Sequence, residues 1–205
     1  MTSLARWMEA WQQLGIAGSS ELYAPVHTAY QEPQRKYHTL QHLEECLLRF
    51  DEVKQHAERP AEVELALWFH DAIYDPARRD NELRSAEWAK AGIQACGLPE
   101  DVGARVYALI MMTVHNAVPA GRDAEALIDV DLSIFAANPA RFDEYEQQVR
   151  AEYAFVPEAV FRRERSRILR EFLAREWLYS TPYFREHHEP QARANLQRSI
   201  SNLAG

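Results

Sequence analysis

The sequence predicts an all-α protein, and three observations indicate it. Apolar residues recur every three to four positions through most of the 205 residues, which is the period of an amphipathic helix. We find no segment with the sustained apolar–polar alternation of a half-buried strand. Glycine, proline and short polar residues interrupt the periodic segments at spacings typical of helices in globular proteins. With no internal repeat or obvious linker, we expect one helical domain over residues 1–205.

Start and stop residues define the helices of the first half of the chain. Gly15 and Gly18 end the first helix, and Pro60 lies at a position favoured in the first turn of a helix. In chain order we predict helices from Leu4 to Leu14, from the Ser19–Glu21 cap to about Tyr30, from about His38 to His56, from Pro60 to Pro76 with His70 and Asp71 inside it, and from Asp80 to Cys96.

The second half follows the same rules. A helix is predicted from Glu100 to Val114, and the Pro- and Gly-containing loop from Pro119 to Asp123 leads to another that contains Asp131. From Pro139 onwards the pattern predicts two longer helices broken near Thr181–Pro182, and then a terminal helix from about Pro190 to Leu203.

Composition restricts the partners and the compartment. A formal net charge of -8 disfavours a nucleic-acid groove, which requires a basic surface. No apolar run reaches the length of a membrane span, and the first residues do not resemble a secretion signal, so we expect a cytoplasmic protein without a membrane partner. Cys46 and Cys96 fall on apolar faces and are expected to be buried, reduced thiols. The sequence does not determine the oligomeric state.

Four separated polar residues form a candidate metal-binding set: His42, the adjacent His70 and Asp71, and Asp131. The pair lies inside the otherwise apolar stretch Ala66–Tyr74, where an imidazole and a carboxylate without partners would each cost several kcal/mol. A shared divalent cation would satisfy both. Two nitrogen and two oxygen ligands suit Mn, Fe, Co, Ni or Mg better than a closed structural zinc site.

His38 and Asp129 lie close in sequence to members of this set. His38 precedes His42 by four residues, so on one helix both imidazoles share a face, and the one that does not bind metal could transfer a proton to or from a substrate. Asp129 and Asp131 are two residues apart and cannot share a helix face well. We interpret Asp131 as the inward ligand and Asp129 as a supporting residue.

Several segments of the chain resemble the HD-domain superfamily of metal-dependent phosphohydrolases, in particular a bacterial branch known mainly by prediction. The segments that carry the resemblance are Arg35–His42, Trp68–Pro76, Asp80–Ala86, Asp129–Leu132 and Glu189–Leu196. They span nearly the whole chain. The resemblance implies a helical bundle of the HD type that hydrolyses a phosphate ester or anhydride, on a nucleotide or related metabolite, by metal-activated water.

The Tyr37–His42 and Asp131–Ser133 elements are also similar to those of cyclic-nucleotide phosphodiesterases. That similarity implies that His38 donates the proton to the leaving oxygen and that His42 binds the metal. Because the chain is much shorter than a phosphodiesterase domain and no base-binding clamp can be assigned, a cyclic nucleotide is only one option. By the superfamily resemblance, Glu82 is expected near the site, supporting a bound water or a ligand histidine.

Charged residues that flank the motifs are candidate substrate contacts. Arg35, Lys36 and Arg79 are candidate phosphate contacts, since guanidinium and ammonium groups bind phosphate oxygens. His115 is the only histidine between Asp71 and Asp131, whereas dinuclear members of the superfamily generally have more. His115 is therefore expected to touch substrate or a loosely bound second ion.

Two alternatives to hydrolysis stay open on the sequence. A metal-retaining protein could bind and sense a nucleotide without turnover. The intact set of four ligands argues against this, because a site that has lost its catalytic function is expected to have lost a ligand. A di-iron oxygenase is the less favoured alternative, because the additional histidines of a tightly held dinuclear centre are missing.

Overall fold

The computed structural model describes residues 2–115 and 118–205, and in them every regular element is helical, which confirms the predicted all-α class. None of these helices is both long enough and apolar enough to cross a membrane. The elements are α1 (Leu4–Gln13), α2 (Ser20–Ala29), α3 (Leu40–Val53), α4 (Pro60–Phe69), α5 (Asn81–Ala95), α6 (Glu100–Met112), α7 (Arg122–Asp131), a 3₁₀-helix (Leu132–Ala136), α8 (Pro139–Glu152), α9 (Glu158–Leu173), α10 (Pro182–His187) and α11 (Glu189–Ala204).

The chain divides into two compact units, residues 1–131 and 132–205. The first contains α1 to α7, and the second contains the 3₁₀-helix and α8 to α11. The expectation of one domain over residues 1–205 stays a prediction.

Helix α4 is the centre of the first unit. It packs against α1, α3, α5, α6 and α7, and from Ala61 to Phe69 only Glu64 is not fully buried. A helix that is apolar on all sides is stable only when other helices surround it. The one buried charge in its first turn, Glu62, is paired with Arg105 at 2.7 Å. Its carboxyl end is therefore followed directly by His70, which is buried, and by Asp71, which is partly exposed.

An aromatic cluster attaches α1 and α2 to this central helix. Trp7 contacts Trp11, Tyr23, Trp68 and Phe69, with ring centroids 5.3–6.0 Å apart. Trp7, Trp11 and Trp68 are fully buried, and each large apolar side chain removed from water contributes roughly 1.5–3 kcal/mol. The cluster therefore holds α1 and α2 against the C-terminal end of α4.

Two helix ends near the candidate site differ from prediction. The hydroxyl of Thr39 accepts a hydrogen bond from the backbone N–H of Gln41, so α3 begins at Leu40 and His38 lies before the helix. Helix α4 ends at Phe69 and does not continue to Pro76, so Asp71 lies in a turn. We call residues 70–75 the site turn.

Side chains explain why the helix stops there. The hydroxyl of Tyr30 donates to the carbonyl of Trp68 at 3.1 Å and accepts from the backbone N–H of Asp71 at 3.3 Å. After the turn, the hydroxyl of Ser85 accepts from the N–H of Ile73 at 3.0 Å. The backbone groups that helical hydrogen bonds would have used are thus satisfied by other parts of the unit.

The second unit is a helical assembly of its own. Helix α11 packs against α9, α10 and the 3₁₀-helix. The amide of Asn195 on α11 donates to the carbonyls of Phe135 and Ala137 at 2.8 Å, which fixes the end of the 3₁₀-helix. The predicted break near Thr181–Pro182 is the start of the short α10, where the Thr181 hydroxyl accepts from the N–H of Phe184.

Candidate metal centre

Three segments of the first unit bring His42, His70, Asp71 and Asp131 together: α3, the site turn and the last residue of α7. The two histidines are buried, at 2% and 1% exposure. The side chains of Asp71 and Asp131 keep 15% and 12% of their surface exposed. The site therefore has an imidazole side inside the unit and a carboxylate side that solvent can reach. We call these four residues the HHDD set.

The ligand atoms of the HHDD set converge. Nε2 of His42 lies 3.1 Å from Nε2 of His70, and the two nitrogens lie 3.5 and 3.1 Å from Oδ2 of Asp71. Oδ1 of Asp131 lies 3.3 Å from His42 Nε2 and 3.5 Å from His70 Nε2. Two ligands bonded at about 2.1 Å to one ion are about 3.0 Å apart at a right angle and about 3.4 Å at the tetrahedral angle. The distances fit a single ion.

A backbone hydrogen bond orients one of the ligands. Nδ1 of His70 lies 2.7 Å from the carbonyl oxygen of Leu67, so this nitrogen carries a proton and donates it. In the neutral imidazole, Nε2 then presents its lone pair to the convergence point. Histidines that bind metals are typically held in this way by a hydrogen bond from the other ring nitrogen.

The pKa directions show that the HHDD set attracts positive charge. Burial opposes the charged form of both histidines, but neighbouring groups outweigh it and hold the pKa of each well above its ordinary value; Cys46 and Tyr37 act on His42, and Asp71 and Tyr30 on His70. Burial would raise the pKa of Asp71, yet His70 and His38 hold that pKa well below its usual range. The pKa of Asp131 is likewise low, because hydrogen bonds from three histidines outweigh its burial. A divalent cation would supply the same positive charge.

Cys46 was not expected at the site. It lies one turn after His42 on α3 and is 1% exposed. His42, Cys46, His70 and Asp131 each offer a ligand atom, all within 4.8 Å of one another, and this buried group could hold a metal ion. The spacing of four residues from His42 was a readable indication, because residues i and i+4 share a helix face. The sequence interpretation gave Cys46 only a place in the core.

His115 reaches the other oxygen of Asp131. Its Nε2 lies 3.1 Å from Oδ2, while Oδ1 faces His42 and His70. The residue follows α6 and has a backbone φ of 56°, a left-handed conformation that is uncommon for residues other than glycine. Its predicted contact with substrate or a second ion stays a prediction, and the next two residues lie outside the described part of the chain.

His38 lies beside the HHDD set although it is not on α3. Its ring stacks on Tyr74 of the site turn, with centroids 4.0 Å apart, and its centroid is 5.9 Å from that of His42. The residue is partly exposed. The expected proximity to His42 is therefore present, although the two residues do not share a helix.

Arg35 is buried against backbone carbonyls, and its predicted phosphate contact stays a prediction. It is 3% exposed, and its guanidinium donates to the carbonyl oxygens of Asp71 at 2.6 Å, Ala72 at 3.0 Å and His38 at 3.2 Å. It also pairs with Glu32 at 3.0 Å. In this geometry Arg35 ties the site turn to the segment that carries His38, which is a structural role.

The other predicted residues differ in their burial. Lys36 is exposed and donates to the carbonyl of Pro33 at 2.8 Å, Arg79 is exposed, and Glu82 is partly exposed in the first turn of α5. Their predicted roles as phosphate contacts or as support for the site stay predictions. Asp129 is fully buried, as expected of a supporting residue.

The comparisons with known proteins returned no relatives: no protein-family model matches the chain, and no similar curated protein or solved structure was found. The described structure thus shows an all-α protein with a buried group of nitrogen, oxygen and sulfur atoms that could hold a metal ion.

Proposed function

We propose that this protein is a metal-dependent phosphohydrolase that cleaves a phosphate ester or anhydride, on a nucleotide or related metabolite. The observation that carries the proposal is the convergence of the HHDD set, with nitrogen and oxygen atoms 3.1–3.5 Å apart. The resemblance of the same segments to the HD-domain superfamily supports it. That resemblance also favours an HD-type bundle.

The chemistry of the donor set fits the implied cation. Two imidazoles and two carboxylates are the ligands that Mn, Fe, Co or Ni accept, and with several waters Mg as well. When bound, such an ion lowers the pKa of a coordinated water and polarises a phosphoryl oxygen. The partial exposure of Asp71 and Asp131 leaves a side of the site from which water and substrate can approach.

His38 is the proposed proton donor. An imidazole N–H protonates the oxygen that leaves when the bond to phosphorus breaks, which avoids expelling an unprotonated alkoxide or phosphate. Its position fits the task, since it is partly exposed, lies beside His42 and is kept in one orientation by the stack on Tyr74. His38 also lies close enough to Asp71 to interact with it electrostatically.

Substrate binding is assigned to the solvent side. His115 touches Asp131 and is close enough to meet a group bound there, while Lys36 and Arg79 are exposed cations near the two motifs. We assign phosphate contacts to Lys36 and Arg79. The predicted phosphate contact of Arg35, whose guanidinium donates to three carbonyls, stays a prediction.

A purified-protein screen tests the proposal. The full chain is freed of metal and then incubated with nucleotides, cyclic nucleotides and simple phosphate esters, with Mn, Co, Ni or Mg added in turn. We expect phosphate release with at least one metal. We also expect its loss in His42→Ala and its retention in His56→Ala, a histidine of the same unit that pairs with Glu125 away from the HHDD set. Absence of metal-dependent turnover for every phosphate compound would overturn it.

The metal-loaded protein also allows hydrolysis to be distinguished from the two alternatives, nucleotide sensing and di-iron oxygenation. If nucleotides raise the melting temperature of the metal-loaded protein while no product forms, a metal-retaining binding protein replaces the hydrolase. Iron near two ions per chain together with oxygen consumption would instead support the oxygenase alternative.

A further inference from the structure

We propose that the site has a second mode of metal binding, in which Cys46 replaces Asp71 and the cation is a thiophilic one such as zinc or cadmium. The ligands of this mode are His42, Cys46, His70 and Asp131, and we call them the thiolate set. The binding part of the inference stands without the proposed function, whereas its inhibitory consequence rests on it.

The position of Cys46 carries the first step. Its Sγ lies 3.6 and 3.7 Å from Nδ1 and Nε2 of His42, and 4.0 Å from the carbonyl oxygen of Val130, the residue before Asp131. The thiol is thus enclosed between two segments that each provide a ligand. One atom from each member of the thiolate set lies within 4.8 Å of the others, so a small movement closes them around one ion.

The geometry also separates the two modes. Because Sγ is almost equidistant from both nitrogens of His42, it lies beside the ring and not beyond Nε2, where Asp71 and His70 converge. An ion bound by the HHDD set therefore does not contact sulfur. To form a metal–sulfur bond, the ion and Sγ must move towards each other. This takes the ion deeper into the unit and away from Asp71, which lies on the exposed side.

Ligand chemistry decides which cation uses which mode. Oxygen and nitrogen donors with open positions suit Mg and Mn, whereas zinc and softer ions favour thiolate and form closed four-coordinate sites. The thiol proton leaves to solvent as the metal–sulfur bond forms. The closed shell has no position for water or phosphate, so zinc and cadmium bound in this mode inhibit hydrolysis.

Cadmium titration of the metal-free full chain is the direct test, because a cadmium–thiolate bond produces an ultraviolet charge-transfer absorption. We expect this absorption to saturate at one equivalent in the wild type and in Cys96→Ser, the matched control with the other, partly exposed cysteine changed. Cys46→Ser is expected to lose this absorption and to bind cadmium at least about 10–100-fold more weakly, because loss of even an outer partner of a metal site weakens binding by that factor. Unchanged absorption in Cys46→Ser would overturn the proposal.

X-ray absorption spectroscopy of the zinc-loaded wild type tests the same proposal without depending on whether a variant folds. One sulfur at about 2.3 Å is expected at one equivalent of zinc, and a shell of nitrogen and oxygen alone would contradict the thiolate set. Sulfur coordination without any hydrolysis would keep this inference and remove only the proposed function. Hydrolysis that zinc inhibits equally in wild type and Cys46→Ser would remove the inhibitory consequence.

Discussion

The two compact units both bury charged groups, and they stabilise them by different chemistry. In residues 132–205, the carboxylate of Glu189 is 4% exposed and accepts hydrogen bonds from the N–H groups of Leu178 and Tyr179 and from Arg193 at 2.7 Å. In residues 1–131, the HHDD set brings two imidazoles and two carboxylates against one another.

The difference shows how a structural charge can be distinguished from a candidate binding site. Glu189 accepts hydrogen bonds from backbone N–H and guanidinium groups, which always carry their protons, so its charge is compensated within the unit. The HHDD set gathers atoms with lone pairs, which need a proton or a cation between them. Shifted pKa values at two histidines and two aspartates are the electrostatic consequence of that arrangement. Such clusters are typical of functional sites.

The largest effect is expected from Asp131→Asn, because Asp131 belongs to both proposed modes of metal binding. We expect manganese and cadmium affinity to fall more than about 100-fold, beyond what changes to outer partners of metal sites cause, and hydrolysis to be lost. Metal titration by calorimetry measures both affinities, with Asp143→Asn as the control at an exposed carboxylate. Wild-type affinity in Asp131→Asn would remove this residue from the centre.

His38→Ala is expected to lower kcat by about 10²–10⁴-fold while the bound metal is kept, because a general acid is removed and no ligand is lost. The loss should shrink for nitrophenyl esters, whose leaving group departs without protonation. Rates for good and poor leaving groups, with metal content measured on the same samples, give the answer. Equal losses for both substrate types would argue against the acid role, and loss of metal would make His38 a ligand.

Arg35→Lys tests whether the site turn depends on its three carbonyl contacts. Lysine keeps the charge but cannot reproduce the planar fork of donors, so the backbone at Asp71 and Ala72 loses hydrogen bonds. We expect manganese affinity to weaken by about 10–100-fold. Arg78→Lys, at an exposed arginine paired with Asp80, serves as the control. An affinity equal to that of the control variant would show that Arg35 does not position Asp71.

Glu189→Ala should have the smallest effect on metal binding and a clear one on stability. Removing the carboxylate leaves the N–H groups of Leu178 and Tyr179 and the Nε–H of Arg193 without their acceptor, at a cost of about 2–3 kcal/mol. The melting temperature should fall by roughly 5–10 °C, as measured by calorimetry. If less metal were bound per folded chain, Glu189 would also affect the metal site, and the contrast between the two buried charge systems would be wrong.

Sequence patterns predicted the helical class, and they selected the four residues of the HHDD set, for physical reasons that are local. Helix boundaries followed residues such as Ser19, whose hydroxyl caps α2, and Pro60, which opens α4. Four polar residues in apolar surroundings needed partners, and the structure brings them together. Their roles in catalysis stay predictions.

What the sequence did not predict depends on tertiary contacts. The early end of α4 requires the hydroxyl of Tyr30, and the structural role of Arg35 requires the carbonyls of the site turn. The approach of Cys46 to Asp131 depends on the packing of α3 against α7, although its spacing from His42 was readable in the sequence. The cap at Thr39, by contrast, was readable in the sequence, and it would have placed His38 before α3.

The central claim is that His42, His70, Asp71 and Asp131 hold one divalent cation. The most direct measurement is an anomalous difference map from crystals of the full chain grown with manganese. We expect one strong peak within about 2.0–2.3 Å of a ligand atom from each of the four residues, with Cys46 outside bonding distance. No peak at this position, or a peak that is not bonded to both histidines and both aspartates, would contradict the account.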